Sequence, residues 1–152
     1  MTDGSVHAGR NVTDCETHLR RVPGATSLVR RDDGLWMVAP ALDVLTMAET
    51  MNRLEARLSA MTGVALDNGE TEIIYHYCIG CLAINLKTRT RNGMIRSITP
   101  ITRAANWSER EISDLYGVDF TGHPNLARLL RPPALPAGFF RTAGVGKGKG
   151  QK

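Results

Sequence analysis

The residues with the most chemical potential in this 152-residue chain are His76-x-Cys78-x-x-Cys81, the carboxylates Glu109 and Glu111, and the run Gly144-Val-Gly-Lys-Gly-Lys-Gly-Gln-Lys152. If Ile79-Gly80 is a two-residue hairpin, Cys78 and Cys81 face each other across it as a metal knuckle, with His76 on the face of Cys78. A closed tetrahedral site needs four ligands, and Cys15 and His123 are far away in sequence. Three cysteines also cannot supply the four thiolates of an iron–sulfur cluster. The expectation is therefore small buried thiols in strands. Glu109 and Glu111, two apart on a helix, point to different sides and do not form an acid/base pair. The Gly/Lys run follows no strand and opens no helix, so it makes no nucleotide-binding loop.

Composition narrows the class further. Hydrophobic residues make up 42% and charged residues 22%, ordinary for a soluble domain, while aromatics at 5% leave the core to Val, Ile, Leu and Met. The net charge of +4 is carried by the end of the chain. Arg141, Lys147, Lys149 and Lys152 face no acid there, and the other 140 residues hold 15 basic and 15 acidic side chains. A nucleic-acid-binding fold would concentrate its charge on one face, so none is expected to be a partner. No apolar run reaches the length of a membrane span, and the polar residues 1–22 lack the apolar core of a secretory signal. With an odd cysteine count arguing against a secreted disulfide framework, the cytoplasm is the expected compartment.

Three regions separate along the chain, with no internal repeat: a flexible leader over 1–22, helical at most from Asp14 to Arg21, a patterned body over 23–131, and a disordered Pro/Gly/Lys-rich tail over 132–152. In the body, Ala25–Arg31 and Leu35–Ala39 read as strands around the turn Asp32-Asp33-Gly34. A long helix is expected from Pro40, with Val44, Met47, Ala48, Met51, Leu54, Leu58 and Met61 as one apolar stripe and Gly63 as its cap. Thr71–Cys78 and Cys81–Arg89 alternate as strands, and Met94–Thr99 is another after the turn Asn92-Gly93. The expected fold is α+β: a small, mostly antiparallel sheet covered by one long helix, followed by two short helices and a disordered tail.

The first short helix is read from Ser108-Glu-Arg-Glu111 as a capping box, with Trp107 and Ile112 as a hydrophobic staple and Gly117 as the left-handed exit. It would expose Glu109, Arg110 and Asp114, with Arg110 and Asp114 paired four apart. The second would run from Pro124 through Leu130, placing Leu126, Leu129 and Leu130 on one side and Arg128 and Arg131 on the other. So many charges around two short helices suggest an ion-pair frame for a partner chain.

The segment Asn106-Trp-x-Glu-Arg-Glu111-x-x-Asp114-x-Tyr116-Gly-x-x-Phe120-x-Gly122-His-Pro124-x-Leu126-x-Arg128-x-Leu130 resembles the signature of the complex I 30 kDa subunit family of respiratory-chain NADH dehydrogenase, with its relatives in membrane-bound nickel–iron hydrogenases. Tyr75-His-Tyr77 and Ser97-Ile-Thr-Pro100 resemble family segments upstream. The resemblance spans roughly residues 25–141 and is strongest after residue 97.

It implies a non-catalytic, cofactor-free α+β subunit that scaffolds the large quinone-site or nickel–iron subunit. An iron–sulfur subunit lies nearby, and the redox centres sit in those partners. The implied location is the cytoplasmic face of the inner membrane, reached only through the complex. The implied interface residues are Trp107, Glu109, Arg110, Glu111, Asp114, Tyr116, His123, Pro124, Arg128 and Arg141, none of them a catalyst. The chain departs from the family after Leu130: Arg131-Pro-Pro-Ala-Leu-Pro136 lacks the family's acidic, Trp-containing continuation, and Gly138-Phe-Phe-Arg141 keeps only one arginine of its Pro-Leu-Arg-Lys-Asp run. The contrasting expectation is a freestanding α+β binding module whose basic tail contacts nucleic acid or anionic surfaces.

Overall fold

The computed structural model describes residues 13–143. The chain is helical over 13–19 (α1) and continues through β1 (Leu28–Arg31), β2 (Gly34–Val38), α2 (Val44–Arg53), β3 (Arg57–Ala65), β4 (Thr71–Ile79) and β5 (Leu82–Arg89). Then come β6 (Met94–Arg96), α3 (Ala105–Tyr116), β7 (Asp119–Thr121) and α4 (Phe139–Ala143). Five strands form a mixed sheet in the order β1-β2-β5-β4-β3, in which β2 and β5 run parallel and the other pairs antiparallel. β6 and β7 form a separate parallel pair.

Alternation decides which face is dry. Ile73, Tyr75 and Tyr77 of β4 and Ile84 and Leu86 of β5 are buried in one core with Val44, Met47, Ala48 and Met51 of α2 and Ala105 and Ile112 of α3. The opposite face carries polar pairs around Ile74: Lys87 pairs with Glu72 at 2.7 Å, and the His76 ring lies 2.7 Å from Asn85 Oδ1 and 2.9 Å from Thr62 Oγ1. At its N-terminal end the described chain is packed rather than loose. Cys15, Leu19 and Val22 are buried in the same core, so the leader expected over 1–22 reaches the fold by residue 15. Burial, aided by the charges of Glu16 and Asp14, pushes the Cys15 thiol up to about 12.

The long helix expected from Pro40 to Met61 is instead a ten-residue helix followed by a strand. It starts later, at the cap Asp43, whose Oδ1 accepts from the Leu45 and Thr46 amides at 3.2 and 3.3 Å. It stops at Arg53, and Glu55 turns the chain away at φ 56°. The apolar stripe misled because β3 carries an irregularity between Leu58 and Ala60. An extra residue in one strand resets the alternation, so Leu58 and Met61, three apart, both face the core as they would on a helix. Gly63 is thus a strand residue and not a helix cap. A Cβ there would meet the Tyr116 ring at 2.9 Å and Ile112 at 3.2 Å, so its bareness lets α3 seat on β3.

Candidate functional site: the polar frame around α3

α3 begins at Ala105, not at Ser108. Its cap residue Ala104 has no side-chain acceptor, and the amides of Ala105 and Asn106 bond back to Thr102 and Arg103. Ser108 therefore lies inside the helix, and the expected capping box and Trp107–Ile112 staple do not form; the Trp107 side chain is 67% exposed. The exit is as expected, with Gly117 left-handed at φ 68°.

The earlier start changes which residues face inward. Ala105, Glu109 and Ile112, spaced by four and three, make the buried face, so a carboxylate sits in the middle of the apolar stripe. Glu109 was expected to be exposed and is 0% accessible. Ser97 Oγ donates to its Oε2 at 2.5 Å and Thr99 Oγ1 at 2.8 Å, while the Ile98 amide donates to Oε1 at 2.7 Å. His123, its side chain equally buried, brings Nε2 to 3.8 Å from Oε2. His123 Nδ1 accepts from the Asn125 amide, so the ring proton is on Nε2 and faces the carboxylate. At 3.8 Å the two attract without a hydrogen bond. Tyr75 and Tyr77 complete the dry surroundings: burial first, and then the Glu109 charge, push both phenols well up from their ordinary range.

Asp114 grips backbone in the same way further along the helix. Its Oδ2 accepts from three consecutive amides, Leu129 and Leu130 at 2.8 Å and Arg131 at 3.1 Å. Arg131 Nε lies 3.7 Å from Oδ1. Burial works to raise this carboxyl, but the three amides and the Arg131 charge outweigh it and hold Asp114 below the usual carboxylate range. The expected Arg110–Asp114 pair is absent because Arg110 points to the same loop: its Nε donates to Ala127 O at 3.0 Å and Nη2 to Arg128 O at 3.2 Å. A second short helix over Pro124–Leu130 does not form; the amides and carbonyls it would pair internally are taken by Asp114 and Arg110.

The segment beyond returns to α3. Gly138 donates to Asp114 O at 2.9 Å, Arg141 Nη1 to Tyr116 O at 3.4 Å, and the Tyr116 and Phe140 rings meet edge-on at 5.8 Å.

The ten interface residues thus divide. Glu109, Arg110, Asp114, His123 and Arg141 bind this chain's own backbone and side chains, and Tyr116 packs on Gly63 and Phe140. Trp107, Glu111, Pro124 and Arg128 are left on the surface, joined by Leu130 at 56% exposure. Sequence reasoning missed Ser97 and Thr99 as partners of Glu109; the spacing 105, 109, 112 carried the signal. Cys78 pairs in register with Ala83 and Ile79 with Leu82, so the hairpin turns on Gly80-Cys81 and the thiols do not face each other. Among the described residues no three His, Cys, Asp or Glu side chains group as metal ligands. No helix among them is long and apolar enough to cross a membrane.

Residues 37–142 match the respiratory-chain NADH dehydrogenase 30 Kd subunit family, and the chain belongs to it. It is 32% identical over 113 residues, 65% of its length, to the C/D subunit of NADH-quinone oxidoreductase from Pseudomonas paraeruginosa, covering 19% of that protein. The corresponding C subunit from Ruegeria pomeroyi is 39% identical over 64 residues, 39% of this chain and 31% of the relative. The matched regions thus span less than a third of these relatives' length. Among solved structures, a chain of the archaeal membrane-bound sulfane sulfur reductase is similar at a TM-score of 0.63 and 25% identity, over 83% of this chain and 79% of that one. The trypsin-resistant fragment of Nqo5 shares the fold at a TM-score of 0.54 and 18% identity, over 78% of this chain and 98% of that one.

Proposed function

We propose that the chain is a non-catalytic scaffold subunit in the hydrophilic arm of a complex I-like NADH:quinone oxidoreductase or a related membrane-bound hydrogenase-type complex. It holds the large quinone-site or nickel–iron subunit while electrons pass through neighbouring chains. Family membership supports this, and the likeness to a chain of the sulfane sulfur reductase, an archaeal respiratory membrane complex, supports a place in a membrane-bound respiratory assembly. The observation that carries it is the sorting of the signature side chains. Glu109, Arg110 and Asp114 hold the chain's own loops, while Trp107 is left 67% exposed one turn before Arg110 and Glu111. A large aromatic held out on a rigid helix is the kind of residue that anchors protein interfaces.

The interface would comprise Trp107, Glu111, Pro124, Arg128 and Leu130, with Glu109, Arg110, Asp114, Tyr116, His123 and Arg141 fixing their positions. The site would be on the cytoplasmic face of the inner membrane, with membrane contact only through the complex. Affinity purification of the tagged chain in mild detergent tests this. The large subunit should co-purify, Trp107→Ala should reduce its yield several-fold, and the variant should melt like the parent. A freestanding monomer that binds DNA with a steep salt dependence would be the opposite result. The Gly144–Lys152 run on which that alternative rests lies outside the described residues.

A further inference from the structure

A second surface lies away from the signature. The β2–α2 connection, the end of β5 and the small β6–β7 pair enclose an open groove of about 380 Å³. Its floor is apolar: Leu42 and Val44 are buried beneath it, Ile95 is half-buried, and Met94 stands 49% exposed at its side. Arg89, Arg91 and Arg96 line it and are all exposed. None of these guanidiniums makes a hydrogen bond or ion pair with another described residue. The one acid in the lining, Asp43, is occupied as the cap of α2, bonded to two amides and to the Thr46 hydroxyl at 2.8 Å.

By contrast, Arg110 of α3, Arg131 of its loop and Arg141 of α4 all reach backbone carbonyls. Three unpaired arginines over apolar ground therefore outnumber the single carboxylate of the lining and make it net positive. Guanidiniums over such ground suit carboxylates carried on a chain that also offers apolar side chains. The chain's own outer segments do not fit this description. Residues 144–152 bring Lys147, Lys149 and Lys152 and no acid, and residues 1–12 bring one acid, Asp3, against one arginine, Arg10.

We infer that this groove docks an acidic, apolar-interrupted peptide segment of a neighbouring subunit, its carboxylates meeting Arg89, Arg91 and Arg96 and its apolar side chains resting on Leu42, Val44 and Ile95. The inference rests on the chain belonging to a larger assembly, and it names a contact separate from the α3 surface.

Two measurements test it on the full chain. A fluorescein-labelled Glu-Leu repeat of twelve residues is titrated by fluorescence anisotropy. It should bind and be displaced by added salt, and R91E and R96E should each weaken it about fivefold, with melting curves unchanged. Equal binding of a Lys-Leu repeat, release of the peptide by inorganic phosphate at similar concentration, or tighter binding to phosphatidylglycerol vesicles would overturn it. In the second, a photo-crosslinking phenylalanine analogue at position 94 is irradiated in the purified assembly, and mass spectrometry should place the cross-link on an acid-rich segment of another subunit. If the complex assembles but position 94 reaches only solvent or a second copy of this chain, the groove assignment fails and the scaffold reading stands. If no complex forms, the scaffold reading fails and the peptide titration alone decides the groove.

Discussion

The five-stranded sheet and the α3 segment are held together by different physics. In the sheet, methionines, leucines and tyrosines exclude water on one face, while Lys87 with Glu72 and His76 with Asn85 pair on the other. Around α3, two buried carboxylates and a half-buried guanidinium grip backbone: Glu109 holds 97–99, Asp114 holds 129–131, and Arg110 holds 127–128 at the surface. Apolar contact is non-directional and tolerates repacking, whereas a buried charge is satisfied by one geometry only. The second region therefore concentrates the larger single-residue effects.

The sharpest break is at Glu109. Its replacement by alanine leaves two hydroxyls and one amide without their acceptor in a dry site, and should cost about 3 to 5 kcal/mol in urea unfolding. Glu109→Gln should recover some of that. A loss under about 1 kcal/mol would show that water relieves the site and that the frame is not as dry as its burial implies.

Asp114→Ala should follow at about 2 to 3 kcal/mol, since three amides lose one acceptor. The acid limb of the stability curve gives a second reading. With the folded carboxyl below its unfolded value, the contribution of Asp114 is complete above the ordinary carboxylate range and fades as pH falls toward the folded value. Stability of the parent should fall more steeply below about pH 4 than that of Asp114→Ala. Parallel acid limbs would refute the assignment.

On the sheet side, Gly63→Ala forces a methyl against Tyr116 and Ile112 and should cost about 1 to 3 kcal/mol through displacement of α3. The smallest change is predicted for Glu111→Ala. This residue is exposed and outside the cap, so thermal denaturation should move by less than about 0.5 kcal/mol. A loss near 1 kcal/mol would revive the capping-box reading of Ser108.

Legibility in the sequence followed the same division. β1, β2, β4, β5 and the turn at Asp32-Asp33-Gly34 were visible because alternation and turn chemistry are local. β3 was not, since its irregularity gave Leu58 and Met61 a helical spacing that only the register against β4 resolves. The segment of the site was visible as a motif, yet its interior was not. Charged side chains are mostly solvated, and that prior put Glu109 and Asp114 outside although the period of α3 already placed Glu109 on the buried face. The grip of Asp114 and Arg110 on the loop was beyond sequence reading, because their partners are backbone groups some seventeen residues downstream, which every residue type offers alike.

The same grip has an evolutionary side. A carboxylate holding the amides of 129–131 specifies a path for the chain and not the side chains along it; only proline at those three positions would remove a donor. Arg128 and Leu130 can therefore be exchanged for other side chains while the loop keeps its course. In this way the surface that the loop presents is exchangeable while the fold that carries it stays as it is.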